Sequence, residues 1–385
     1  MHILVLSSWY PTEKQPLLGI FVKRHALAAS RFHDVSLLHA VADDDMKPGE
    51  FRIMKQEEGR FREIVIYFGR KPGKGLNNLI RQNKLLRRHY DFGLEKINEW
   101  FGKPDVLHLN VIWPLGGIAA DISSKLKIPL VLTEHWTGYH PEDGRYRGML
   151  MKWLTIKTIR KANVILPVSN QLSKAMTRHG LHGNYEVVSN VADENLFTIS
   201  DEVKINRLIH VSMLDDAQKN VSALLRVFVK IHRKYPDLEL LIVGSGPDES
   251  KLRRLSNELG LTQRGVEFAG KLESVALAKA ISASRAMVLN SNYENQPVVI
   301  IEALLSGIPV IAPATGGIPE MLDESNGKQF DPGNEAALEK AIIQWYESRS
   351  RYDAETIRSE AVKKYSIPAV GEALSRVYLK AAGKC

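Results

Sequence analysis

The chain has 385 residues, 44% of them hydrophobic and 25% charged, with a formal net charge of +8. That is enough chain for two domains with separate cores, in the composition of a soluble globular protein, and the positive balance favours anionic partners: nucleic acid, sugar nucleotides or a lipid surface. Its single cysteine, Cys385, excludes an internal disulfide framework and a cysteine-built metal site, and favours a reducing compartment. No run reaches membrane-spanning length, and the opening MHILVLSSWYP is too short for a signal peptide.

In chain order, residues 2–7 form a first buried strand and 20–30 a helix. Gly19 stands just before that helix, where the lack of a side chain lets a ligand phosphate come close. Further strands are expected over 35–40, 63–68 and 106–110, with a helix in the glycine-led stretch WPLGGIAADISSKL. The strand of IPLVLTEHWTGYH ends at Thr133, Glu134 and His135, and open α/β sheets place their ligands at the carboxyl ends of strands. His135 is therefore a candidate functional residue, whereas His108, one strand earlier, fits the core better. Ser169 has the chemistry of a helix N-cap. Strands and helices alternating at this spacing predict a doubly wound parallel sheet.

The polar stretch 193–207 is taken as the interdomain linker. A second α/β series follows, with strands at LIHVSML, 238–243 and VEFAG, and helices over 220–234 and 251–259. Lys219 lies just after the first of these strands and offers a point charge for phosphate. Gly244 and Gly246 suggest a dinucleotide fingerprint, but Glu249 occupies the third glycine position, so a nicotinamide site is not supported. The twelve histidines are scattered without metal-ligand spacing, and the D-x-D pair within Asp43 to Asp45 belongs to an acidic run rather than to a metal-binding strand end.

Residues 286–320, AMVLNSNYENQPVVIIEALLSGIPVIAPATGGIPE, read as strand, loop, helix and strand, with Pro297 at the first helical position and Gly307 as the stop. The helix N-terminus then projects from the carboxyl end of a sheet, where its dipole and free amides attract anions. Glu294 and Glu302 bracket it as acceptors for sugar hydroxyls. The E-x7-E pair, followed by EALLSGIPVIA and GGIPE, resembles the signature of the retaining glycosyltransferases of family four. That resemblance implies an α/β GT-B fold: two Rossmann-like domains with parallel sheets facing across a cleft. It places residues 1–192, plus about 367–385, in an acceptor-binding domain, and 193–366 in a nucleotide-sugar-binding domain.

The resemblance also implies roles. Glu294, His135 and Lys219 become catalytic candidates. Gly19, Lys219, Gly244, Gly270, Lys271, Glu294, Val298, Val299 and Glu302 become donor-binding candidates. The family's arginine after the first strand of the second domain is replaced here by Met213, which leaves Lys219 to clamp the diphosphate. The expected chemistry is metal-independent and cofactor-free, with a nucleoside diphosphate sugar as co-substrate and a saccharide or lipid-linked acceptor. A sugar-nucleotide epimerase or hydrolase on the same fold is the alternative enzyme, and a non-catalytic surface-binding protein a third reading.

Two segments carry one sign of charge. Residues 69–90 hold seven basic side chains and 145–161 hold six, with no acid in either. The second mixes them with Met149, Trp153, Leu154 and Ile156, as a basic helix on an anionic membrane would. A solvated helix face is the plainer account. Nucleic acid is not expected as a partner, because neither segment belongs to a recognised binding module. The expected location is cytoplasmic, with the inner face of the plasma membrane as a candidate docking surface.

Overall fold

The computed structural model describes residues 1–16, 18–200, 204–261 and 265–384. Its first lobe contains β1 (His2–Ser7), α1 (Ile20–Ser30), β2 (Asp34–Ala42), β3 (Phe51–Glu58), β4 (Phe61–Phe68), α2 (Leu76–Phe101), β5 (Val106–Asn110), α3 (Gly116–Leu126), β6 (Leu130–Glu134), α4 (Met149–Lys161), β7 (Val164–Pro167) and α5 (Asn170–Arg178). Its sheet runs β3-β4-β2-β1-β5-β6-β7, parallel except for β3.

The second lobe contains β8 (Arg207–Val211), α6 (Asp216–Lys219), α7 (Val221–Lys234), β9 (Glu239–Val243), α8 (Glu249–Glu258), β10 (Val266–Gly270), α9 (Ser274–Ser282), β11 (Ala286–Val288), α10 (Val298–Leu305), β12 (Val310–Pro313), β13 (Gly327–Phe330), α11 (Glu335–Glu347), α12 (Ala354–Tyr365) and α13 (Ile367–Ala381). Its sheet is parallel, in the order β10-β9-β8-β11-β12-β13. The chain therefore has the expected class, with two parallel α/β sheets.

The strands read as continuous apolar runs because both faces of each sheet are covered. In β1, Ile3 and Val5 pack with α1 and α13, while Leu4 and Leu6 pack with α2 and α3. In the second lobe Ile209 and Val211 of β8 face α9, α10 and α12, whereas Leu208 faces α7 and α11. Each sheet changes winding direction once. The switch falls between β1 and β5 in the first lobe, and between β8 and β11 in the second. Loops diverge there and leave a crevice at the strand ends.

Several expectations need correction. Pro297 is the N-cap of α10 rather than its first residue, so the helix starts at Val298. The stretch 193–207, expected to link the domains, is packed where it is described. Phe197 is buried in the second-lobe core, and Arg358 donates to the carbonyls of Phe197 and Glu194; residues 201–203 lie outside the described residues. The basic run 69–90 lies mostly in α2, and β3, α9 and β13 were not foreseen. β3 is a solvent-facing edge strand with little apolar content, and β13 spans only four residues.

α13 returns to the first lobe. Val370, Leu374 and Tyr378 are buried there, and His33 hydrogen-bonds Ser375 at 2.9 Å. At Gly371 the two helices nearly touch, since a Cβ would stand 2.3 Å from the carbonyl oxygen of Ala28. Gly371→Val should therefore force α13 off α1 and cost about 1–3 kcal/mol, read as a lowered midpoint in urea. An unchanged midpoint would show that the close approach is not needed.

Candidate active site

The second-lobe switch point positions the main polar groups. Leaving β8, the chain is turned by Asp215, whose side chain accepts from Ala217 N and caps the short helix α6. That helix ends at Lys219. Leaving β11, residues 289–297 carry Glu294 to the same place, and the Lys219 ammonium pairs with the Glu294 carboxylate. The glycine pair of the GGIPE segment makes this loop path possible. A Cβ on Gly316 would stand 1.7 Å from the carbonyl oxygen of Glu294, and Gly317 N donates to Asn295 O at 2.7 Å.

Glu302 sits one turn into α10, buried, with Arg24 of α1 donating from the opposite lobe at 2.8 Å. Burial raises the carboxyl above its ordinary range, while the guanidinium pulls the other way. At the start of α10, Val298 and Val299 present amides at a helix end that no side chain caps.

His135 lies at the seam between the lobes. Its ring is 4.2 Å from that of Phe21 and 5.4 Å from that of His25, both on α1. Burial, with His25 and His108 nearby, holds it well below the ordinary imidazole range, so it is neutral. Nε2 is 3.4 Å from Asn110 Oδ1, and buried Nδ1 has no hydrogen-bond partner; neither has buried Oδ1 of Asn190. The supporting carboxylate is Glu134, which accepts from the amides of Ile112, His135 and Trp136 and from the Tyr139 hydroxyl. It fixes the loops after β5 and β6.

The same loop keys the lobes together. Asn295 Nδ2 donates to His135 O at 2.6 Å, and its Oδ1 meets His140 Nε2 at 2.6 Å. Gln296 Oε1 accepts from Asn190 N at 2.5 Å. Glu320 accepts from the amides of Asn170 and Gln171 at 2.9 Å, placing a carboxylate on the N-terminus of α5.

Among the sequence candidates, Glu294, Lys219, Glu302, Val298 and Val299 gather around the start of α10, and His135 meets the same loop through Asn295. Gly19 N-caps α1 at φ +69°, with no room for a Cβ beside the Trp9 carbonyl. Gly244 is required by packing, since a Cβ would lie 1.8 Å from Ser212 O. Gly270 needs its positive φ, while Lys271 pairs with Glu273 at the surface. Arg24, Asn110 and Gln296 were missed. A lone arginine on an amphipathic helix carries no signal in sequence, although Arg24 follows Gly19 by about one turn.

Among the described residues no group of three or more His, Cys, Asp or Glu could hold a metal ion. No described helix is long and apolar enough to cross a membrane.

The family model for glycosyl transferases group 1 matches residues 192–364, and that for glycosyltransferase family 4 matches residues 20–196. The chain belongs to this glycosyltransferase family and is a transferase enzyme. A Bacillus subtilis protein bearing the name of a teichuronic acid biosynthesis glycosyltransferase is 26% identical over 371 residues, covering 90% of this chain and 89% of that one. Among solved structures, a sucrose-phosphate synthase of Thermosynechococcus elongatus superimposes with a TM-score of 0.78 at 19% identity, covering both chains completely. Anabaena HepE in complex with UDP-glucose does so with a TM-score of 0.72 at 18% identity, over 99% of this chain and 100% of that one. These likenesses establish the GT-B fold.

The buried ion pair gives a pH prediction. Because burial raises the folded-state value for Glu302, its ionisation weakens the fold as pH climbs through that value. Below the ordinary carboxyl range the group is protonated, folded or unfolded, and the penalty vanishes. Removing Arg24 removes the opposing pull. The melting-temperature deficit of Arg24→Ala should therefore be smallest near pH 4 and grow towards pH 7; a deficit independent of pH would contradict the pairing.

Proposed function

We propose that the protein is a retaining, metal-independent glycosyltransferase that moves a sugar from a nucleoside diphosphate sugar to an acceptor hydroxyl in cell-surface polysaccharide or glycolipid synthesis. One observation carries this reading: the two carboxylates bracketing the open N-terminus of α10 are each neutralised by a cation, Glu294 by Lys219 and Glu302 by Arg24. A sugar nucleotide has the complementary set of hydroxyls and phosphates. Its entry exchanges the partners. Glu302 takes the ribose hydroxyls and Glu294 those of the donor sugar, while Lys219 and Arg24 turn to the diphosphate. In the bound state each carboxylate keeps hydrogen-bond donors, the sugar hydroxyls, and each cation keeps an anionic partner, the diphosphate.

In this reading Arg24 supplies from the first lobe the cation that Met213 does not supply from the second. Gly19, the amides of Val298 and Val299, and the turns at Gly244 and Gly270 complete the phosphate and nucleotide surroundings. Lys271 would reach the base by leaving Glu273. As the anomeric carbon–oxygen bond breaks, its electron pair leaves on the nucleoside diphosphate, where these donors stabilise the growing charge. The acceptor oxygen bonds to the same face of the sugar, and its proton passes to the departing phosphate oxygen. His135, kept neutral by burial, can hydrogen-bond a sugar hydroxyl through its open Nδ1.

The teichuronic acid relative supports a polysaccharide product, and the UDP-glucose held by HepE makes UDP-sugars the first donors to assay. Peripheral attachment at the cytoplasmic face is part of the proposal, supported by the basic runs in α2 and α4. Steady-state transfer assays with a panel of UDP- and GDP-sugars test it. Lys219→Ala should lower kcat/KM on the order of 10²-fold, and Glu302→Ala should raise the donor KM by roughly 10- to 100-fold. Adding Met213→Arg to Arg24→Ala should recover part of the loss in nucleoside diphosphate affinity. A Glu302→Ala enzyme with full donor affinity would remove the ribose assignment.

A further inference from the structure

A cavity of about 440 Å³ lies between the lobes, beside the two places where the chain crosses from one to the other. One crossing passes through residues 189–192 and the other through 365–367, and Ala192 N donates to Tyr365 O at 3.2 Å to join them. The first lobe supplies Val168, just after β7, residues 187–189 and one side of α13. The second supplies Gln296, Glu320 and the last residues of α12. Val168, Val188 and Val370 are buried and form an apolar floor, which Ala369 and Ala373 extend along α13.

The charged part of the lining is mostly cationic: Lys363, Lys364 and Arg376 against one carboxylate, Glu320. The Glu320 oxygens are already held by the amides of Asn170 and Gln171. Lys363 and Arg376 pair only along their own helices, with Glu360 and Glu372, and such exposed pairs are weak and easily exchanged for a ligand. Lys364 has no ion pair among the described residues. Beside it, the Tyr365 hydroxyl makes no hydrogen bond among the described residues; burial, with Glu320 nearby, raises it to about 12, so it keeps a proton to donate. An inorganic anion would leave the valine floor unfilled. A neutral hydrocarbon would strip water from Lys364 and Tyr365 without replacing it. An organic phosphate satisfies both parts of the lining.

We propose that this cavity is an effector site for a small organic phosphate, whose phosphate meets Lys364 and Tyr365 and whose apolar body lies along Ala369, Val370 and Ala373. Its walls come from both lobes, so the ligand binds best when the lobes stand as they do here, and binding holds them there. The coupling reaches the cleft through Gln296. That residue lines the cavity, accepts from Asn190 N through Oε1 and from Asn190 Nδ2 through its carbonyl, and precedes Pro297 at the cap of α10. The site is independent of the donor reading, in which none of these side chains holds the sugar nucleotide.

Calorimetric titration of the full chain with phenyl phosphate, against inorganic phosphate and phenol, tests the proposal. Phenyl phosphate should bind at least about fivefold more tightly than either. Lys364→Glu should weaken it on the order of tenfold and Tyr365→Phe about fivefold, while Lys219→Ala, in the donor cleft, leaves it unchanged. Lys364 is exposed and Tyr365→Phe keeps the ring, so both variants fold. Hydrogen exchange at the amides of Ala192 and Ile367, which bond to Tyr365 O and to Glu194, should slow on binding. Undetectable binding, equal affinities for the three probes, or an affinity unchanged in Lys364→Glu would overturn the proposal. So would binding lost in Lys219→Ala and kept in Lys364→Glu, which would put the probe in the donor cleft. Unchanged exchange at both amides would overturn the bridging of the lobes.

Discussion

The ion pair between Arg24 and Glu302 joins two independently packed lobes through a carboxylate that would otherwise be a buried, unpaired charge. Burying such a group without a partner is expensive, and the group would protonate instead. The first lobe therefore has to present a cation at one place on α1 whenever the second lobe presents α10. Gly19 lies about one turn before Arg24, and Pro297 about one turn before Glu302. The two helix starts are thus brought near one another by the same contact. The surrounding polar seam, from Asn295 and Gln296 to Glu320 on the end of α5, fixes the rotation of one lobe against the other.

This seam explains why the stretch 290–320 is so constrained. It must leave β11, carry Glu294 to Lys219, start a helix without a side-chain cap, and return beneath itself at Gly316 and Gly317. Side chains at those glycines would collide with the backbone of Glu294 and Asn295. The motif is a set of steric and electrostatic requirements that coincide in one loop, and that is why it is visible in sequence. Lys219 belongs to the same set because the switch point between β8 and β11 brings the two loops together.

Legibility followed locality. The strands buried on both faces, such as β1, β5 and β9, stand out as short apolar runs, and the Ser169 cap was readable because its hydrogen bond to Leu172 N spans only three residues. The edge strand β3 was not readable: its pairing to β4 satisfies the backbone while its side chains face solvent. The boundary of α10 was displaced by one residue, since proline's fixed φ serves equally well at the cap. At the site, the E-x7-E pair and His135 could be named from strand ends and spacing. Arg24 could not, because its partner is 278 residues away. The cavity between the lobes was equally hidden, since its walls come from α12, α13 and the crossing segments together.

The central claim is that donor binding exchanges the partners of two buried ion pairs. A crystal structure of the protein with a bound nucleoside diphosphate sugar tests it most directly. The account predicts the Glu302 carboxylate on the ribose hydroxyls, with the Arg24 guanidinium released and moved to the diphosphate. A bound nucleotide with the Arg24–Glu302 pair intact, or one lying away from the start of α10, would contradict it.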